Sequence, residues 1–137
     1  MMKYLVPVGR VLFVLIFLKA VPEHFSPGTI DYAAKGGVPL ANILVPASGV
    51  LALLGGLSVA LGFKARWGAA ALVLFLVPIT LMMHNFWAVA DPKMAGMQET
   101  MFMKNVSMLG AAIMLMHFGS GPCSLDNCCR KHGETQT

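Results

Sequence analysis

Charge is scarce in this sequence: Asp, Glu, Lys and Arg make up 12% of its 137 residues, against about 25% in soluble domains. Apolar residues fill 57% of it and the mean hydropathy is +0.72, so a water-soluble globular domain does not fit. Carboxylates are absent from the middle of every long apolar stretch, which argues against a proton relay built on a buried acid. There are only three cysteines and no C-x-x-C pair, so neither a thioredoxin motif, a haem-attachment motif nor a zinc knuckle is present. Nucleophile triads and phosphate-binding loops are missing as well. The formal net charge of +4 comes without a basic stripe interleaved with aromatics, and nucleic acid is not an expected partner.

What the chain does have is four apolar blocks, Leu5–Val21, Leu40–Leu61, Trp67–Phe86 and Met101–Phe118. Each approaches the roughly 20 helical residues needed to cross a hydrocarbon core of about 30 Å. The expected fold is an all-α integral membrane protein: an antiparallel bundle of four transmembrane helices in a single domain, 1–137, with a tail over 119–137. The lipid bilayer is its first partner. Leu18-Lys19-Ala20 puts a lysine where a signal-peptide cleavage site needs a small residue, so the first block is read as a retained helix.

Basic residues set the orientation. With alternating spans, Lys3, Lys64, Arg66, Arg130 and Lys131 fall on one side, which predicts cytoplasmic termini. In the first outer loop, Ser26-Pro27-Gly28, Thr29–Ala34 and Gly36-Gly37 bracket about two turns of surface helix. Spans two and three, joined by the short Gly62–Arg66 connection, should form a hairpin. Ser48, Ala52, Gly56 and Ala60 give span two a smooth stripe for a neighbouring helix. Pro46 and Pro78 can kink spans two and three and open a pocket, or merely curve them.

Polar residues within apolar blocks need partners. In an up-down bundle, the outer ends of the spans bring together Lys19, Asn42, His84-Asn85 and Lys104-Asn105, with Ser107 one turn deeper. Two lysines favour an electron-rich occupant, and His84 can hydrogen-bond a carbonyl such as that of a quinone. The alternative is that Lys19 and Lys104 snorkel to headgroups while His84 and Trp87 join an interfacial belt. Arg10, on the inner half of span one, must face protein or snorkel. Cys123, Cys128, Cys129 and His132 offer soft ligands in the tail, but their spacing matches no zinc signature, so no metal is expected. Eleven methionines read mainly as packing rather than as copper ligands.

Several local signatures occur in order: Gly9-Arg10 with Phe17-Leu18-Lys19, Gly37-Val38-Pro39, Gly55-Gly56 with Leu61-Gly62, His84-Asn85-Phe86-Trp87, Phe102-x-Lys104-Asn105, and Gly119-x-Gly121-Pro122 before Ser124-Leu125-Asp126. Together they resemble the DoxX family of small bacterial inner-membrane proteins, in its YphA-like subgroup. That resemblance implies a four-span bundle in the bacterial inner membrane, and by motif it carries over Arg10, Lys19, His84, Trp87, Lys104, Asn105 and Asp126. It also implies kinship with proteins linked to a thiosulfate:quinone oxidoreductase and to redox-homeostasis complexes. Many relatives have a glutamate just before the glycine pair of span two, where this chain reads Leu51-Ala52-Leu53-Leu54.

Two functions follow as expectations. One is a membrane redox subunit that binds a quinone headgroup or small anion through Arg10, Lys19, His84, Asn85, Lys104 and Asn105, with a redox partner protein. The other is a non-enzymatic scaffold, partner-binding protein or small-solute transporter.

Overall fold

The computed structural model describes residues 2–134, with side chains as far as Cys129. Six α-helices follow one another: α1 Leu5–Ala20, α2 Pro27–Lys35, α3 Ala41–Leu61, α4 Ala65–Met83, α5 Pro92–Phe118 and α6 Leu125–Glu134. Short 3-10 turns cover Met2–Tyr4, Val21–Phe25 and Phe86–Ala88. Four helical segments are long and apolar enough to cross a membrane, as the apolar blocks require.

Local signals explain the helix ends. Ser26 caps α2 by accepting the Thr29 N–H at 3.2 Å, and Pro27 opens the helix where its missing N–H costs nothing. Asp91 and Pro92 repeat the device on α5, with the Asp91 carboxylate accepting the Met94 N–H at 3.0 Å. The fourth spanning helix, α5, therefore begins at Pro92, nine residues before the apolar block at Met101. Its 27 residues span about 40 Å at 1.5 Å per residue, so its first turns, with Lys93, Gln98 and Glu99, extend beyond a core of about 30 Å. Between α3 and α4 the chain reverses through Gly62 and Lys64, both in the left-handed region (φ 66° and 48°).

The helices pack in sequence, α1 on α3, α3 on α4 and α4 on α5, while α2 lies on α3. Lipid provides little hydrophobic drive for helix association, so close backbone approach has to supply the contact energy. A Cβ at Gly55 of α3 would lie 2.9 Å from the Gly68 carbonyl oxygen of α4, and one at Gly56 would lie 3.0 Å from Leu18 of α1. Ala52 and Val59 are fully buried beside them. Val14 and Phe17 of α1 complete the core with Leu72, Phe75 and Leu76 of α4. Large apolar side chains such as Leu12, Leu54, Trp67 and Leu74 remain exposed, the outward apolar surface that a bilayer covers.

Candidate functional site

At the end of the bundle covered by α2, a cavity of about 550 Å³ lies between α2, α3 and α4, within the range of small-molecule sites. The 3-10 turn after α1 creates it by laying His24 across α3 at Gly49. A Cβ at Gly49 would sit 2.7 Å from His24 Cβ, so only glycine admits this crossing. His24 is buried, its ring tilted against Phe75 at 5.5 Å between centroids. Its Nδ1 lies 2.9 Å from the Ala20 carbonyl oxygen. A carbonyl can only accept, so Nδ1 carries a proton, and in the neutral form of such a ring Nε2 is the acceptor.

The walls are almost wholly apolar, with Val38, Leu51, Ile79 and Met82 among them, and Pro78 of α4 also contributes. Polar groups number three: His24, Thr29 and Ser48. Ser48 donates its hydroxyl proton to the Val45 carbonyl at 2.7 Å, and Thr29 Oγ1 accepts from Ser26 at 3.0 Å. Among the described residues, no Lys, Arg, Asp or Glu lines the cavity. Leu44, Ala47, Leu74 and Pro78, which line it, are also exposed on the bundle's flank, so it opens sideways toward lipid.

The residues singled out by polarity lie elsewhere. Lys19 is exposed on the last turn of α1, and Asn42 is exposed on the first turn of α3. His84 is half-buried with Nδ1 2.7 Å from Gln98 Oε1, a pairing with the polar start of α5. Asn85 is half-buried in the turn that follows. Lys104 is exposed, its Nζ 3.3 Å from Met101 Sδ, and Ser107 is exposed and donates to the Met103 carbonyl at 3.0 Å. Asn105 is buried. Lys19, His84, Asn85, Lys104 and Asn105 are all absent from the cavity wall. Phe86, Trp87 and Phe102 form an edge-to-face cluster at this end with Trp87 exposed, the placement of an interfacial belt. His24, one of the polar residues that do line the cavity, has no motif around it. Its burial follows from packing against Gly49 of α3 and Phe75 of α4, which no local pattern announces.

A second polar assembly occupies the other end, where the α3–α4 turn meets the tail. Arg10 is buried, donating through Nη1 to the Ser120 carbonyl and through Nη2 to the Cys123 carbonyl at 2.8 Å. Its Nε is sealed off and has no partner among the described residues. Asp126 ties the same loop to the hairpin: its N–H donates to the Gly62 carbonyl at 3.0 Å, and its carboxylate accepts from the Lys64 N–H and the Ser120 hydroxyl, each at 2.8 Å. Burial pushes the Asp126 carboxyl upward, but the N–H groups of Lys64 and Ala65, the Ser120 hydroxyl and the Arg10 charge outweigh it and hold the group below its ordinary range. Arg10 and Asp126, carried over together by motif, thus meet in one network. Cys123, Cys128 and Cys129 are exposed free thiols. The His132 side chain lies outside the described residues, and no group of three metal-binding side chains occurs among those described.

Residues 1–132 match the model of the SURF4 family. Inner membrane protein YphA of Escherichia coli K12 is 28% identical over 121 residues, covering 87% of this chain and 86% of YphA. Inner membrane protein YqjF of the same strain is 29% identical, covering 90% and 91%. The Surfeit locus protein 4 homolog of Schizosaccharomyces pombe is 29% identical over 86% of this chain but only 35% of its own length. No solved structure matches. These matches do not name the DoxX family, so that resemblance stays a reading of the motifs. With a family model spanning nearly its whole length, four membrane-crossing helices and two bacterial inner-membrane relatives, the chain belongs to the SURF4 family and is a multi-pass inner-membrane protein.

Proposed function

We propose that this protein is a non-enzymatic membrane binding protein that takes an apolar small molecule from the bilayer into the cavity between α2, α3 and α4. The observation that carries the reading is the cavity itself: about 550 Å³, apolar-walled and open on the lipid-facing flank. Among the described residues its lining includes no carboxylate, cysteine or lysine, so the groups there that commonly serve as nucleophile or general acid are one histidine and two hydroxyls. Holding and passing on a molecule is the chemistry such a lining supports.

The quinone-linked alternative draws on the DoxX resemblance and on Lys19, His84, Lys104 and Asn105. A quinone presents two carbonyl acceptors and needs two donors. The cavity offers at most the Thr29 and Ser48 hydroxyls, and the latter already donates to Val45. The binding reading therefore has the better chemical match. We place both termini and the α3–α4 turn on the cytoplasmic side, on the strength of Lys3, Lys64 and Arg66. The cavity then opens in the outer leaflet.

A photoreactive diazirine alkane in proteoliposomes provides the test, with the crosslinks mapped by mass spectrometry. Labelling should concentrate on peptides of α2 and the facing halves of α3 and α4. Ala47→Trp, which fills the cavity from an exposed position, should abolish it while the bundle stays folded. Labelling spread evenly over all lipid-facing surfaces, unchanged in Ala47→Trp, would overturn the reading.

A further inference from the structure

His24, on the cavity lining, has a ring nitrogen without a partner among the described residues, and this narrows the class of ligand, an inference that rests on the binding role proposed above. We infer that the occupant is a neutral amphiphile ending in a hydroxyl, a long-chain or isoprenoid alcohol, whose O–H donates to His24 Nε2.

Three observations lead there. First, His24 is fixed at both ends of its ring: Nδ1–H is committed to the Ala20 carbonyl, and the Cβ side rests against Gly49. The residue is 7% exposed, yet Nε2 is not among the sealed polar atoms and has no partner among the described residues. An acceptor that stays accessible among apolar walls offers a partner to a donor that enters the cavity. Second, the Thr29 hydroxyl on the same lining suits a group that both gives and takes a hydrogen bond. Thr29 Oγ1 accepts from Ser26, which leaves its own proton for the lone pair of an incoming oxygen. An alcohol satisfies both sides, whereas an ether or a quinone carbonyl has no proton for Nε2. Third, the lining contains no Lys or Arg to hold a carboxylate or phosphate, and no Asp or Glu to hold an amine. Ionised headgroups would be desolvated there without a counter-charge. The exposed rim at Leu44, Leu74 and Pro78 admits a chain from the side, so the alkyl portion need not leave hydrocarbon.

The test is competition against the diazirine alkane in proteoliposomes of the full chain, using cetyl alcohol, its methyl ether and palmitate, each corrected for partition into protein-free vesicles. Cetyl alcohol should displace the probe roughly two- to tenfold more effectively than the ether, the range one hydrogen bond supplies, and palmitate should be weakest. His24→Phe keeps a ring against Phe75 and should erase the preference for alcohol over ether while still admitting the probe. His24→Gln, whose amide oxygen can accept, should recover part of it. Equal competition by alcohol and ether in the wild-type protein defeats the hydroxyl inference whatever the variants do, and leaves the binding role standing because the probe still labels the cavity. Absence of cavity labelling defeats both.

Discussion

Replacing Gly62 with alanine should unfasten the tail end of the protein. Gly62 sits at φ 66°, where an L-residue pays roughly 1–2 kcal/mol. The added methyl would also collide with the Arg10 guanidinium, lying 2.9 Å from its Cζ and 2.5 Å from Ser124 Cβ. Neither neighbour can yield cheaply, because Arg10 is held by the carbonyls of Ser120 and Cys123 and Ser124 Oγ is bonded to Gly121 O and the Asn127 N–H. Hydrogen bonds from a charged donor contribute about 1.5–3 kcal/mol each, so breaking one adds that much to the backbone term. The total is about 3–5 kcal/mol, which at roughly 3 °C per kcal/mol for a domain of this size lowers Tm by about 10 °C. Thermal unfolding in mild detergent measures it, and Gly9→Ala is the control: Gly9 lies in α1 with nothing within 4 Å of its would-be Cβ, so there alanine should be neutral or slightly stabilising. If Gly62→Ala melted within 2 °C of wild type by this rough scale, the tight fit of Arg10 against the turn would be refuted.

Three further expectations concern other parts of the molecule. The Asp126 carboxyl titrates below its ordinary value of 3.8, so its contribution to tail docking is complete above that pH and is lost as pH falls through the lowered folded value. Hydrogen-exchange protection at Lys64 and Ala65, corrected for the intrinsic pH dependence of exchange, should fall on acidification below pH 3.8, and Asp126→Asn should remove that dependence; protection independent of pH in the wild type would contradict it. Gly49→Ala should drive His24 and Phe25 off α3, destabilising by about 1–3 kcal/mol and weakening alkane labelling of the cavity. Full labelling with unchanged Tm would mean that the crossing tolerates a methyl. Lys104→Met should leave both stability (within about 0.5 kcal/mol) and cavity labelling unaltered, since Lys104 is exposed on α5 away from the cavity. Lost labelling would return the lysine to the binding site.

The membrane fold was legible because it rests on a bulk property. Four apolar blocks of spanning length leave few alternatives once charge is this scarce. Boundaries set by single hydrogen bonds were harder to read. The α5 start is the clearest case: Asp91-Pro92 is a good cap signal, but Lys93, Gln98 and Glu99 dilute the apolar pattern behind it, and hydropathy favoured Met101. The small-residue stripe on α3 was visible as spacing, whereas the division of labour between Gly56 toward α1 and Gly55 toward α4 depends on rotation of the helix and needed the structure.

Site residues were legible only as unmet demand. A polar side chain in an apolar block must find a partner, but the sequence does not say whether that partner is another side chain, the main chain or the headgroup region. Lys104 and Asn105 show the difference at its smallest, since neighbours on a helix with 3.6 residues per turn point about 100° apart. One is exposed and the other buried, although their polarity is similar. Arg10 was recognisable as costly, yet its partners are main-chain carbonyls 110 and 113 residues away, and a carbonyl leaves no mark in the residue code. His24 makes the converse point. Lying in a loop between apolar blocks, it carried no apparent cost, and it comes to line the cavity only because Gly49 lets it cross α3 and Phe75 of α4 packs on its ring. Polarity inside a span therefore finds residues that need the fold, while a ligand-facing residue can be one that the fold creates.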